Sequence, residues 1–183
     1  MSPDLQYHVL AGMPGLVKHP HTLLICPVLC RSQSRGRVAI AGTNPLAPPI
    51  ITSRFRQCDA DMRVLLKGIE LALDLRRVGD LGVLVDSAHP YAYTRDPRTE
   101  IPLPGDRSDW VSFVRKTAVT VWHPVGTCRM GRDDLAVVDD RLRVYGVEGL
   151  RVADASVAPF IPSGNTNAMC YLIGEMCAES LGE

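Results

Sequence analysis

His123 is the side chain in this sequence best suited to proton transfer. It is followed by Pro124, which biases the preceding residue away from helical dihedrals, and then by Gly126. We therefore expect an extended, kinked segment with the imidazole facing a cavity. Histidine has the unperturbed pKa nearest neutral pH, and a positioned general base typically accelerates a reaction by a factor of about 100 to 10,000. Spacing alone favours a different interpretation, a core histidine packed beside Trp122.

A second group of polar side chains lies closer to the C-terminus. Asp154 follows a predicted strand that ends at Val152, and an acid at such a turn often bonds a hydroxyl or a backbone amide. Asn165, Thr166 and Asn167 place two amides and a hydroxyl at the start of a predicted helix. Unpaired backbone N–H groups and a partial positive charge at a helix start suit an electron-rich ring edge or a developing anion. Ordinary capping by Asn165 and Thr166 is the alternative interpretation.

Three helices are predicted along the chain. Apolar residues at i, i+3 and i+4 spacing indicate a helix over 59–77. A second helix is predicted over 107–119, with Ser108 as its N-cap, and a final helix over 166–180, with Asn165 as its N-cap. The inward stripe of the second helix is expected to contain Trp110, Phe113, Val114 and Ala118.

Short apolar runs predict the strands. A nearly continuous run, typical of a strand covered on both faces, stands at 22–29. A segment rich in Pro, Asp and Gly at 79–105 predicts a surface excursion or a lid. The other predicted strands lie at 5–10, 37–40, 142–144 and 150–152.

Composition excludes several classes of protein. Lys plus Arg and Asp plus Glu number 20 each, so there is no basic excess of the kind that nucleic-acid binders usually carry. An apolar fraction of 46% is too high for a disordered chain. No stretch approaches the roughly 18 to 20 apolar residues that cross a bilayer, and no signal peptide is recognised. We therefore expect a cytoplasmic protein without a transmembrane segment.

Metal and hydrolytic sites are also disfavoured. The six cysteines form no CxxC pair, which indicates reduced thiols rather than a disulfide framework or a zinc site. His8, His19 and His21 have no cysteine or acidic partner at ligand spacing, so no metal is expected. A serine hydrolase is disfavoured because the sequence has no G-x-S-x-G nucleophile elbow.

Taken together, the two C-terminal stretches resemble the glucose–methanol–choline (GMC) oxidoreductases, in particular the branch of choline dehydrogenase-like alcohol dehydrogenases. The family's H-P-x-G-T-C-R-M-G signature matches residues 123–131. Further matches follow in the family's order at 136–139, 142–146, 149–156 and 163–168, and weaker ones precede them at 34–38 and 44–50.

The resemblance implies FAD-dependent oxidation of a primary alcohol. His123 would match the base that takes the hydroxyl proton while the carbinol hydride passes to flavin N5. Asn165 would match the second catalytic position, which is asparagine or histidine in relatives, and would orient the substrate oxygen.

The resemblance also implies cofactor contacts. Asp154 and Ala155 would meet the ribityl–pyrophosphate side of FAD. Thr166 and Asn167, next to Asn165, would approach the pyrimidine edge of the isoalloxazine, where the helix start would help to hold the negative charge of the reduced ring.

Two departures from the family pattern qualify this expectation. Met169 and Cys170 stand where many relatives carry Pro-Thr. No two glycines are separated by a single residue, so the G-x-G-x-x-G loop that anchors the ADP part of FAD does not occur in the sequence.

The missing loop leaves an alternative to an intact enzyme. The chain would be a truncated non-catalytic module, or a subunit that needs a separate FAD-binding chain. A subunit of this kind predicts an exposed apolar surface on the final helix. The residues expected there are Ala168, Met169, Leu172, Ile173, Met176 and Cys177.

The expected fold is α+β, an antiparallel sheet with helices on one face, followed by the C-terminal return of an FAD-binding lobe. The expected domains are a substrate domain at 1–120 and a catalytic His/Asn segment at 121–183. The sequence leaves open which alcohol is oxidised and whether oxygen is the electron acceptor.

Overall fold

The computed structural model describes residues 3–11, 23–75, 77–79, 91–93 and 100–182. Helices and short antiparallel strands are mixed along the chain, which confirms the predicted α+β class. The chain divides into two compact units. One contains Cys30–Arg54 and Thr120–Glu183, and the other contains Pro3–Leu29 and Phe55–Val119. The functional boundary near residue 120 stays a prediction.

The second unit is built on a hairpin and a long helix. Strands β1 (Leu5–Ala11) and β2 (Leu23–Leu29) pair antiparallel, close to their predicted positions. Helix α1 (Asp59–Leu75) packs against β2 at a glycine. A Cβ at Gly68 would lie 2.7 Å from the Cβ of Pro27. The Tyr7 hydroxyl donates to the Gly68 carbonyl at 2.9 Å, so a hydrogen bond also connects β1 to α1 at this position.

The packing of Gly68 against Pro27 can be tested by adding a methyl group at Gly68. Alanine favours a helix over glycine by about 1 kcal/mol, but overpacking against Pro27 is expected to cost about 1 to 3 kcal/mol. Gly68→Ala should therefore lower the midpoint of urea unfolding. The matched control is Gly174→Ala, a helical site where an added Cβ meets nothing within 4 Å, and it should raise the midpoint. Equal shifts for the two variants would argue against the seating of α1 on Pro27.

Helix α2 (Trp110–Thr117) starts differently from the prediction. A 3-10 turn at Arg107–Asp109 precedes it, and Asp109 rather than Ser108 is the N-cap residue of α2. Ser108 lies inside the 3-10 turn, which Asp106 caps: Asp106 has extended backbone, and its carboxylate accepts from the Ser108 N–H at 2.8 Å. The predicted inward stripe is confirmed at Trp110 and Val114, which are buried, and α2 packs against α1.

The segment predicted as an irregular excursion contains paired strands. Strands β5 (Tyr91–Tyr93) and β6 (Glu100–Pro102) pair antiparallel. Positions 80–90 and 94–99 of the predicted excursion lie outside the described residues.

The first unit contains the remaining strand pair. Strand β3 (Arg37–Ala39) pairs antiparallel with β4 (Ile50–Thr52), a strand that the preceding prolines concealed in the sequence. The predicted antiparallel pairing thus holds, but the described strands form three two-stranded sheets rather than one continuous sheet.

The core of the first unit joins the C-terminal helix to the segments before it. Helix α3 (Asn167–Leu181) contributes Ile173 and Cys177. In place of the strands predicted near 142–144 and 150–152, isolated bridges connect Val138 with Val144 and Arg143 with Arg151. The rest of the buried cluster consists of Val138, Leu142 and Val157.

None of the helices in the described part of the chain combines the length and the apolar character that crossing a bilayer requires.

Candidate active site

The segment that carries His123 begins with an unusual backbone conformation. Trp122 has φ of +59°, a left-handed conformation that bulky residues rarely adopt. Its N–H donates to the Thr120 hydroxyl at 3.0 Å. Such conformations cost about 1 to 3 kcal/mol and cluster at functional sites. His123 follows directly, half-buried and outside regular secondary structure.

Backbone hydrogen bonds join this segment to the second motif. The Cys128 N–H donates to the Ser156 carbonyl at 3.0 Å, and the Met130 N–H donates to the Val157 carbonyl at 2.8 Å. Val157 is fully buried. The signature that begins at His123 is therefore held against the turn that begins at Asp154, and a core residue anchors the junction.

An ion pair closes the next turn of the signature. Arg129 Nη1 lies 3.0 Å from Asp133 Oδ2, and the Leu135 N–H donates to Asp133 Oδ1 at 2.9 Å. The hydrogen bond from Arg129 holds the pKa of Asp133 below its ordinary value. Asp133 is therefore charged at neutral pH. Its carboxylate links the Arg129 side chain to the Leu135 backbone N–H and so stabilises the turn.

Asp154 organises the turn that follows. Its Oδ1 accepts from the Ser156 N–H at 2.7 Å and starts a 3-10 turn at Ala155–Val157. This is the backbone-amide bond expected of an acid at such a turn. Asp154 itself remains exposed, while Ala155 is half-buried.

The start of α3 corrects the predicted cap. Thr166, not Asn165, is the N-cap residue, and its side chain makes no capping hydrogen bond. The reason is that the Thr166 hydroxyl has another partner. Its Oγ1 lies 3.1 Å from Nδ1 of His123. The two motifs that the sequence singled out thus meet side chain to side chain.

Of the predicted site residues, the structure brings His123 and Thr166 into direct contact. Thr166 contacts His123 and is itself buried, while Asn165 and Asn167 stand exposed on either side of it. Sequence reasoning missed the contact between Thr166 and His123. The two residues are 43 positions apart, and no spacing rule links such distant side chains.

All six cysteines lie in the described part of the chain, and none of them forms a disulfide. Among the residues that the structure describes, no group of three or more His, Cys, Asp or Glu side chains is placed to hold a metal ion.

Helix α3 has two apolar sides with different surroundings. Of the residues predicted to form an exposed apolar surface, Ile173 and Cys177 are instead buried in the core. Leu172 and Met176 are exposed as predicted, at 60% and 53%, and Tyr171 beside them is 72% exposed. One side of α3 therefore packs in the core. Three exposed residues on the helix form what we call the apolar patch: Tyr171, Leu172 and Met176.

Sequence comparison identifies the family. The profile of the GMC oxidoreductase family, in its C-terminal part, matches residues 32–174. The chain belongs to the GMC oxidoreductases.

Curated relatives match over nearly the whole chain. The alcohol dehydrogenase [acceptor] of Pseudomonas putida is 36% identical over 97% of this chain, and the oxygen-dependent choline dehydrogenase of Chromohalobacter salexigens is 35% identical over 98%. In both cases the match covers 31% of the relative. This chain thus spans about a third of the length of these relatives.

Solved structures agree with this assignment. A crystal structure of formate oxidase superposes with a TM-score of 0.82 at 28% identity, covering 97% of this chain and 31% of that one. A formate oxidase variant from Aspergillus oryzae RIB40, studied for its effect on FAD modification, gives a TM-score of 0.76 at 30% identity over the same shares.

Proposed function

We propose that this chain supplies the catalytic C-terminal part of an FAD-dependent alcohol oxidoreductase. His123 is the general base, and Asn165 orients the hydroxyl of a primary alcohol. The observation that carries the proposal is the hydrogen bond between His123 and Thr166, because it joins the signature segment to the start of α3. Family membership supports the class of reaction.

The exposed polar groups of the two motifs would suit the flavin end of FAD. Asp154 offers an exposed carboxylate, and Asn165 and Asn167 offer exposed amides. The first backbone N–H groups of a helix lack intrahelical partners, so the first turn of α3 would suit an acceptor-rich ring edge. When bound, FAD would accept the carbinol hydride at flavin N5.

The residues of this chain contribute position and proton transfer. The imidazole of His123 takes the proton of the substrate hydroxyl as the C–H bond breaks. The carboxamide of Asn165 donates to the substrate oxygen and holds the carbinol in place. A half-buried position lets His123 reach a substrate while limiting its contact with water.

Cofactor retention tests the proposal directly. Because the G-x-G-x-x-G loop does not occur here, the purified chain is expected to hold little or no FAD and to show little activity. A chimera in which this chain replaces the matching third of the Pseudomonas putida relative should bind FAD stoichiometrically and reduce a dye with a primary alcohol. Flavin absorbance and dye reduction measure the two properties.

Two results would contradict this account. A stoichiometric yellow protein with alcohol:dye activity from the chain alone would show that the loop is not needed. A chimera that holds FAD but oxidises no alcohol would contradict the proposed reaction.

A second candidate function is a subunit that works only with a separate FAD-binding chain. The exposed patch of Tyr171, Leu172 and Met176 favours it, because contiguous exposed apolar residues mark interaction surfaces. Co-expression with the FAD-binding region of a relative, followed by affinity capture of this chain, tests it. The variant Leu172→Ser should weaken capture, whereas Leu135→Ser, at another exposed leucine, should not.

A further inference from the structure

Thr166 occupies a helix N-cap without acting as one. A capping threonine usually has extended backbone and accepts a hydrogen bond from an N–H of the first turn. Thr166 has φ of −76° and ψ of −10°, which is helical, and its side chain makes no capping bond. Thr166 is only 7% exposed, so water does not readily form a hydrogen bond with its hydroxyl. A buried hydroxyl of this kind requires a hydrogen-bond partner from the protein.

Nδ1 of His123 is the ring nitrogen that partners the Thr166 hydroxyl. The Nδ1 to Oγ1 distance is 3.1 Å, within the range of an N–H···O hydrogen bond. A neutral imidazole carries one hydrogen, so one nitrogen donates and the other keeps its lone pair. Because the Thr166 hydroxyl occupies Nδ1, a histidine that acts as the base must offer its lone pair at Nε2, and the ring hydrogen is then on Nδ1.

We infer that Thr166 is a positioning residue that holds neutral His123 in the tautomer with its hydrogen on Nδ1. This inference rests on the proposed function of His123 as the base. The Nε2 lone pair then faces the substrate. In the proton transfer the substrate O–H bond breaks and an Nε2–H bond forms. The product is an imidazolium whose Nδ1–H still donates to Thr166, and the charge strengthens that hydrogen bond.

The tautomer can be measured by NMR without cofactor or substrate. Long-range 1H–15N correlation spectra distinguish protonated from unprotonated ring nitrogens, and they should be recorded well above the ordinary imidazole pKa of about 6.5. The sequence has five histidines, so the loss of one signal set in His123→Gln identifies the ring. We expect a protonated Nδ1 in the native chain. A protonated Nε2 would overturn the inference, because Thr166 would then be the donor.

Two variants separate positioning from general structural support. Thr166→Val keeps the shape but removes the acceptor, and we expect the ring to move toward the Nε2–H tautomer that imidazole prefers in water. Thr166→Ser keeps the hydroxyl and should restore the native spectrum. An unchanged tautomer in a folded Thr166→Val would contradict the inference. The native spectrum decides the matter if the valine variant does not fold.

Activity in the FAD-loaded chimera gives an independent reading. Loss of a hydrogen bond to a charged group corresponds to about 1.5 to 3 kcal/mol, so Thr166→Val should lower kcat about 10- to 100-fold, with KM little changed and with rescue by serine. A kcat unchanged by Thr166→Val would overturn the inference. The proposed function is judged separately, by whether the native chimera oxidises an alcohol, and the tautomer measurement stands whatever that result.

Discussion

Replacing His123 with glutamine in the FAD-loaded chimera is expected to lower kcat for a primary alcohol by about 100- to 10,000-fold. That factor is the usual contribution of a positioned general base, and it corresponds to about 3 to 5 kcal/mol of activation free energy. Glutamine preserves hydrogen bonding but does not take up a proton at neutral pH. Anaerobic bleaching of the flavin on mixing with alcohol measures the affected step.

The matched control for this prediction is His8→Gln. His8 lies in β1, where it pairs across the hairpin with Cys26, and it has no proposed role in the reaction. Flavin content should be the same in both variants, so that a loss of cofactor is not mistaken for a loss of chemistry. A decrease of less than tenfold in His123→Gln with FAD retained would exclude this histidine as the base.

Replacing Ile173 with alanine is expected to destabilise the chain by about 2 to 5 kcal/mol. Large-to-small changes in a packed core lose both transfer free energy and contacts around the new cavity. Ile173 is buried at 7% exposure, in the same cluster as Val157, whose carbonyl accepts from the Met130 N–H. Loss of this core should therefore loosen the junction between the two motifs. Urea unfolding followed by circular dichroism measures the free energy.

The neighbouring residue provides the control. Leu172→Ala removes a similar side chain from the same helix, but that side chain is 60% exposed. Its effect on the stability of the chain should stay within about 0.5 kcal/mol, as for most surface substitutions. Similar losses for the two variants would mean that α3 does not face the core through Ile173.

Local patterns in the sequence were enough to place most of the helical structure. The periodicity over 59–77 located α1 within two residues at its C-terminal end, because apolar spacing on one face is a property of neighbouring residues. The caps were less accessible. Ser108 and Asn165 have the right chemistry for an N-cap, but Asp109 and Thr166 are the N-cap residues of α2 and α3, and Asp106 caps the 3-10 turn before α2.

Strand pairing was harder to anticipate for a related reason. The extended segments at 5–10, 22–29 and 37–40 were predictable from their composition, and the antiparallel sense followed from fold class. Strand β4, which pairs with β3, was not, since three exposed residues after two prolines carry no periodic signal. Which strands pair depends on long-range contacts that no local window contains.

The sequence by itself determined the family of this chain and the side chains that the proposed reaction would use. The types and order of residues in the His123 and Asp154–Asn167 stretches define the family and the groups available for acid–base work, because these are covalent properties of the chain. Only the tertiary structure decided how those groups meet. The backbone bonds from Cys128 and Met130, the buried Val157 and the contact of Thr166 with His123 join residues far apart in sequence, and only packing of the folded core brings them within hydrogen-bonding distance.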